Sequence, residues 1–288
     1  MIDPGLRNRT VLITGANNPF GIGTAAAIAF ASVGAKLFLH FFRSPDTPAV
    51  TGDGPGESFY RAQQLNTCEQ VMARVTATGG EAHSFEADFA DSTAVERLFD
   101  AVERTFGRVE VLINNAATWA ADTFVPPEAR TRNPFLELWT NASPFSGQVF
   151  THLMSVNACA PAMLIHEFAR RHVAQGARWG RIVNISTDGA DCFPSEITYG
   201  ASKLALESLT RSAAYELGQF GITVNALALG PVQTGWITPE LEQALLPRIP
   251  LGRLGTAAEV ADAIVFFSSE QGGWITGQRV FVGGGHRM

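Results

Sequence analysis

Basic residues are scarce in this 288-residue chain: 21 lysines and arginines face 27 aspartates and glutamates, the formal net charge is −6, and no basic run occurs. Phosphate backbones are held by a basic face, so a nucleic-acid partner is excluded. Cysteine is scarcer still. Cys68, Cys159 and Cys192 are odd in number and lack CxxC spacing, which argues against a disulfide framework or zinc site and for a reducing, cytoplasmic compartment. His40, His83, His152, His166, His172 and His286 share no metal-ligand spacing, so no metal is expected. The opening MIDPGLRNRT lacks the apolar segment of a signal peptide. The most apolar region, residues 25–42, is interrupted by Gly34 and Lys36, so no membrane span is expected. There is no internal repeat.

What remains is a globular composition, 46% hydrophobic and 17% charged. Short apolar runs at residues 10–14, 36–42, 81–89, 109–114, 181–185, 223–229 and 279–282 alternate with helix-period segments. Continuous rather than alternating apolar character marks strands buried on both faces, as in a parallel sheet. Between them, residues 93–106 keep Val95, Leu98, Phe99, Val102 and Phe106 at spacings of three and four. Thr256 followed by Glu259 reads as a capping box opening another helix. The pattern predicts an α/β fold, a Rossmann-type doubly wound parallel sheet of seven strands, in a single domain over residues 1–288. Two segments interrupt it. Residues 44–66, rich in Pro, Gly and Asp, read as a loop insertion, and residues 119–149, with four prolines, read as a cleft-covering one.

The first strand runs directly into TGANNPFGIGTAAA. Glycines there let the backbone approach a pyrophosphate, and the following helix N-terminus aims N–H groups at the anion. Asn17 and Phe20 lie inside this loop beside Gly15, Gly21 and Ile22. A dinucleotide's adenosine ribose belongs at the end of the second strand. No carboxylate stands there, but Arg43 does, and a guanidinium pairs with a 2′-phosphate. NADP is therefore expected rather than NAD. Asp88, after the third strand, is a candidate acceptor for the adenine amino group.

Residues 181–209, RIVNISTDGADCFPSEITYGASKLALESL, read as a buried strand, a polar loop and a helix carrying Tyr199 and Lys203 one turn apart. Side chains at i and i+4 share a helix face, so phenol and ammonium point into one cleft. Counting back thirteen positions from Tyr199 selects Ser186 as the hydroxyl at the strand end, whereas aligning the NIST ending selects Thr187. Ser186 is preferred on loop length. Phe193 and Cys192 are candidate pocket residues, and Trp236 is a candidate lid residue over 235–250.

In order, Thr14-Gly15 with Gly21-Ile22-Gly23, Asp88, Asn114-Asn115-Ala116-Ala117, Asn157, Ser186, Tyr199-x-x-x-Lys203 and GPVQT at 230–234 resemble the short-chain dehydrogenase/reductase family over essentially the whole chain. The resemblance implies that Gly15, Gly21 and Ile22 border the cofactor phosphates, with Asp88 and Phe89 at the adenine. Asn115 and Ala116 would follow the ribose and pyrophosphate. It implies that Asn157 holds a proton-relay water, that Val232 and Thr234, just after Gly230, orient the nicotinamide carboxamide, and that the last strand packs in a homotetramer or homodimer. The sequence departs in having five residues between Gly15 and Gly21 where three are common, Ala117 for a glycine, Leu229 before Gly230, and no basic residue in the loop.

The implied chemistry is hydride transfer between NADP(H) and a small-molecule carbonyl or secondary alcohol, of which 3-oxoacyl reductases are one type, with Tyr199 as acid/base and no nucleic-acid or membrane partner. A phenol titrates near ~10, and bringing it to ~7 needs about 4 kcal/mol of preferential phenolate stabilisation. Lys203 and the nicotinamide charge are the expected source. The alternatives are a non-catalytic NADP-binding sensor or scaffold, and a non-redox epimerase or dehydratase on the same fold.

Overall fold

The computed structural model describes residues 2–43, 54–91, 93–132 and 142–287. β1 (Thr10–Thr14) feeds the glycine loop and α1 (Ile22–Ser32), and β2 (Lys36–Phe41) follows. Then come α2 (Glu57–Gln63), α3 (Glu69–Ala77), β3 (Glu81–Glu86), α4 (Ala94–Phe106) and β4 (Val111–Asn114). Two-residue strands β5 (Asp122–Thr123) and β6 (Ser143–Pro144) pair in parallel before α5 (Gly147–Met154), a π turn (Ser155–Cys159) and α6 (Ala160–Ala174). β7 (Gly180–Thr187), α7 (Ile197–Leu217), β8 (Ile222–Leu229), β9 (Val232–Gln233), α8 (Pro239–Leu245), β10 (Gly255–Thr256), α9 (Ala257–Ser268) and β11 (Arg279–Val282) complete the order.

Seven strands form one parallel sheet in the order β11-β8-β7-β4-β1-β2-β3. The chain moves outward from β1 first to β2 and β3, then returns to β4 on its other side. That reversal opens a crevice at the carboxyl ends of the strands, where α/β sheets bind ligands. Every residue of β7 and β8 is buried, the polar Asn184 and Asn225 included. The edge strand β3 alternates exposed and half-buried positions instead.

Helices cover both faces. One core cluster joins α1, α3 and α9 to the sheet through Phe30, Val71 and Ile264, and the other joins α4 and α6 through Leu98, Phe99 and Phe168. The helical stretch Gly147–Ala174 is long and apolar enough to cross a membrane by length and composition. Its buried residues include Leu164 and Phe168, which belong to the second core cluster.

The insertion at 44–66 departs from its reading as a loop. Residues 44–53 lie outside the described residues, but Glu57–Gln63 is a helix. No residue of α2 is fully buried, so it has no apolar stripe to betray it in sequence. Of the segment 119–149, residues 133–141 lie outside the described residues, and the rest supplies β5, β6 and the start of α5.

The capping box is formed: Glu259 N–H donates to the Thr256 hydroxyl at 3.2 Å, and Thr256 N–H donates to Glu259 Oε2 at 2.9 Å. Thr256→Ala is expected to cost ~1 kcal/mol, lowering Tm by about 2 °C, while Thr256→Ser retains most of it. Thermal unfolding of the two variants checks this.

Candidate active site

Gly15 leaves β1 with φ +68°, and a Cβ there would meet the Ala116 Cα at 2.7 Å. Only glycine lets the loop lie against the backbone after β4. Thr14 and Asn115 lock that junction. The Thr14 hydroxyl accepts from the N–H of Asn115 and of Ala116, each at 3.0 Å. The Asn115 side chain donates to the carbonyls of Thr14 and Gly15 at 2.9 Å. Asn115 thus braces the glycine loop with its own amide.

Two asparagines of the lengthened loop also have partners. Asn17 Nδ2 donates to the Gln64 and Asn66 carbonyls at 2.6 and 2.9 Å, and Asn18 Nδ2 reaches the Thr234 carbonyl at 3.4 Å. The lengthened loop is therefore stitched to the segment following α2 and to the exit from β8. Phe20 is half-exposed and packs against Phe59 of α2. Gly21 begins α1 with no side-chain cap and no acidic residue in the first turn. The first N–H groups of an eleven-residue helix, next to a cradle that a Cβ would fill, suit a pyrophosphate.

At the ribose end, Arg43 Nε and Nη2 make a two-pronged bond to Glu86 at 2.8 and 2.7 Å. This pairing holds the Glu86 carboxyl below its ordinary range. Asp88 accepts from Ala90 N–H at 2.9 Å, a turn role. Phe89 stacks on His40 with centroids 4.0 Å apart. Burial pushes the His40 imidazole down to about 4, so it is neutral at pH 7.

The opposite wall is α7 seated on β7, joined by a ladder of polar contacts. Thr210 Oγ1 accepts from Asn184 Nδ2 at 2.8 Å, Glu207 accepts from the Ser186 hydroxyl at 2.6 Å, and Lys203 Nζ donates to the Ile185 carbonyl at 2.8 Å. Side chains alternate along a strand, so Asn184 and Ser186 both face α7 and Thr187 does not. Thr187 lines the cleft together with Tyr199. Ser186, preferred on loop length, is thus engaged by buried Glu207, whereas Thr187 lies on the cleft that Tyr199 also lines. Counting loop residues ignored strand parity.

Lys203 is 2% exposed, and its Nζ lies 5.7 Å from the Tyr199 ring centroid. Burial lowers its amine to about 8, with Glu207 pulling the other way. Burial raises the Tyr199 phenol, and the charges of Glu196 and Asp188 add to the rise. Asn157 sits in the π turn, a feature common at functional sites, and is fully buried. Its amide donates to the Thr118 carbonyl at 2.8 Å and to Ser202 Oγ at 3.0 Å, and its oxygen accepts from Thr118 N–H. It clamps the chain after β4 to α7.

The cleft between these walls holds about 300 Å³. Gly230, Val232 and Thr234 border it, as do Phe193 and Trp236. Cys192 is exposed, and its carbonyl takes a bond from Arg287 at 3.2 Å. Trp236 packs edge-on against Trp119 and Tyr60, with centroids at 4.6 and 5.3 Å. Sequence reasoning missed Tyr60, Asp188, Glu196, Arg248, His286 and Arg287, all of which line the cleft. The one usable signal was an unexplained acid, Glu196, three positions before the phenol. Its buried carboxyl accepts from Trp119 Nε1 and is raised by burial to about 7.

Comparison with known proteins agrees with this geometry. The family described as enoyl-(acyl carrier protein) reductase matches residues 58–287. An uncharacterised oxidoreductase of Bacillus subtilis is 31% identical, covering 97% of both chains. The chain belongs to the short-chain dehydrogenase/reductase family. It is 30% identical to an NADPH-dependent aldehyde reductase-like chloroplast protein of Arabidopsis thaliana, over 98% of this chain and 95% of that one. A short-chain dehydrogenase/reductase structure from Serratia marcescens superposes with a TM-score of 0.76 at 27% identity, over 98% of this chain and 99% of that one. Members of this family are oxidoreductases that use NAD(P) and act on small molecules, and so does this chain.

Glu196 gives a pH prediction. Its folded pKa, about 7, lies above its ordinary 4.5. The folded state therefore binds the extra proton, and stability present below pH 4.5 is lost as pH rises through about 7. In Glu196→Gln this loss disappears. The variant's Tm, measured relative to wild type, should rise between pH 5 and 8; a constant offset would place the carboxyl elsewhere.

Proposed function

We propose that the protein interconverts a carbonyl and a secondary alcohol using NADP(H), with Tyr199 as the acid/base. The observation that carries this is the α7–β7 ladder, which sets Tyr199 and Thr187 on one cleft with the Lys203 amine buried behind them.

The residues fit the cofactor. The uncapped α1 N-terminus with Gly15, Gly21 and Ile22 would take the pyrophosphate, and Asp88 and Phe89 would flank the adenine. Ala116 would lie on the ribose–pyrophosphate path that Asn115 braces, Lys203 would hold the nicotinamide-side ribose, and Val232 with Thr234 would orient the carboxamide. Bound there, NADP(H) supplies or accepts the hydride and, when oxidised, a positive ring. In the reductive direction Thr187 donates a hydrogen bond to the substrate oxygen while Tyr199 Oη passes its proton to it. In the oxidative direction Tyr199 takes that proton back, and the Lys203 ammonium stabilises the phenolate. Asn157 has its amide committed to Thr118 and Ser202, so its part is to hold that wall in place.

Arg43 at the end of β2, with no carboxylate on that strand's end, supports NADP, and the relative named as NADPH-dependent points the same way. The 2′-phosphate would compete with Glu86 for the guanidinium. Three unpaired cysteines fit a cytoplasmic setting. A homotetramer or homodimer is supported by an apolar groove of about 630 Å³ that includes Phe150, Met154 and Leu209, and by Trp274, 99% exposed.

Tyr199→Phe is expected to lower kcat/KM for carbonyl reduction by about 10³-fold, while NADPH still raises its Tm; substantial residual turnover refutes the role. Thr187→Val should lose about 10²-fold and Ser186→Ala far less, measured with the same ketone. Arg43→Asp should raise the KM for NADPH by roughly tenfold or more, as loss of a charged phosphate contact predicts, and spare NADH. An unchanged coenzyme preference removes Arg43 from phosphate recognition. Net NADPH consumption with a carbonyl panel separates this reaction from an epimerase or dehydratase.

A further inference from the structure

We infer that the cleft is built for a neutral carbonyl or alcohol carrying a further hydroxyl near its reacting carbon, held by Glu196 and the Asp188–His286 pair. The inference rests on the redox reading above and names the substrate class of that same cleft.

The reaction as derived uses neither group, yet both are buried and line the cavity: Glu196 is 4% exposed and His286 8%. Asp188 Oδ2 lies 2.7 Å from His286 Nδ1. Nε2, the ring's other polar atom, makes no hydrogen bond to the described residues. Glu196 has one donor there, Trp119 Nε1, although a carboxylate has about four acceptor positions. Polar atoms that line the cleft with capacity to spare suit a ligand hydroxyl, which both donates and accepts.

The aim of Glu196 is enforced. The preceding residue, Ser195, is left-handed with φ +69°, a conformation that is costly for a non-glycine residue. It is held there from both sides. Ser195's carbonyl accepts from Asp122 N–H at 3.0 Å, and Asp122's carboxylate caps Thr198, accepting from its N–H at 3.0 Å and from its hydroxyl.

Charge selects among ligands. Asp188 and the partly ionised Glu196 line the same cleft as Arg248 and Arg287, so an ion of either sign meets like charge there. A neutral hydroxyl, both donor and acceptor, satisfies either sign. The faces of Trp119, Trp236 and Tyr60 suit the C–H faces of a small ring or chain.

The test compares 2-hydroxycyclohexanone with cyclohexanone. Wild type with NADPH should favour the hydroxyketone in kcat/KM by about 10²-fold or more, as expected when a built hydrogen-bond site is left unmet. Calorimetry on Tyr199→Phe with NADPH bound should give a Kd at least about tenfold lower for the hydroxyketone. Glu196→Gln, which keeps the side chain's shape, and His286→Leu should each reduce that binding preference severalfold. Equal affinities for the two ketones overturn the inference even where turnover is brisk. So does an undiminished preference in folded Glu196→Gln. A retained binding preference without any turnover by wild type instead overturns the redox reading and leaves the inference standing.

Discussion

A helix packed on a strand of a parallel sheet meets only every second side chain of that strand, and α7 on β7 shows how much follows from this. Asn184 and Ser186 face the helix and are consumed by Thr210 and Glu207. The Ile185 carbonyl between them is left for Lys203. The next outward side chain, Thr187, falls where the strand ends and the cleft begins. One register therefore settles which hydroxyl is structural, which is presented, and where the amine is anchored. Shifting the helix by a single residue would break all three contacts.

The second wall depends on the first strand's glycine loop, and its departure from the usual spacing has a structural explanation. Asn17 reaches outward to Gln64 and Asn66, and Asn18 across to Thr234. Cofactor loop, insertion helix and the exit of β8 thereby become one connected surface. Gly56 N–H on the Gly235 carbonyl at 2.9 Å closes the same circuit from the other side.

The sheet was legible because its inner strands are mostly apolar, as β1 and β4 are, and because helices such as α4 keep a clean three–four spacing. The phenol and amine were legible because their spacing is local. What failed was whatever required geometry between distant positions. The preference for Ser186 rested on a loop count, which carries nothing of the side-chain direction that turns it to Glu207. α2 follows a Pro- and Gly-rich stretch and is held by its neighbours rather than by an apolar stripe of its own. His286 and Asp188 are 98 positions apart, and no local pattern in either neighbourhood announces their meeting.

Trp119 and Trp236 stand at 72° to one another with centroids 4.6 Å apart. Two indoles that close and that oblique couple their strong electronic transitions, so their far-ultraviolet circular dichroism carries a paired signal that a lone tryptophan cannot produce. One of the two donates its N–H to Glu196 and the other packs on Tyr60 of α2. The optical signature of the folded protein is therefore also a readout of whether the walls of the cleft are in register.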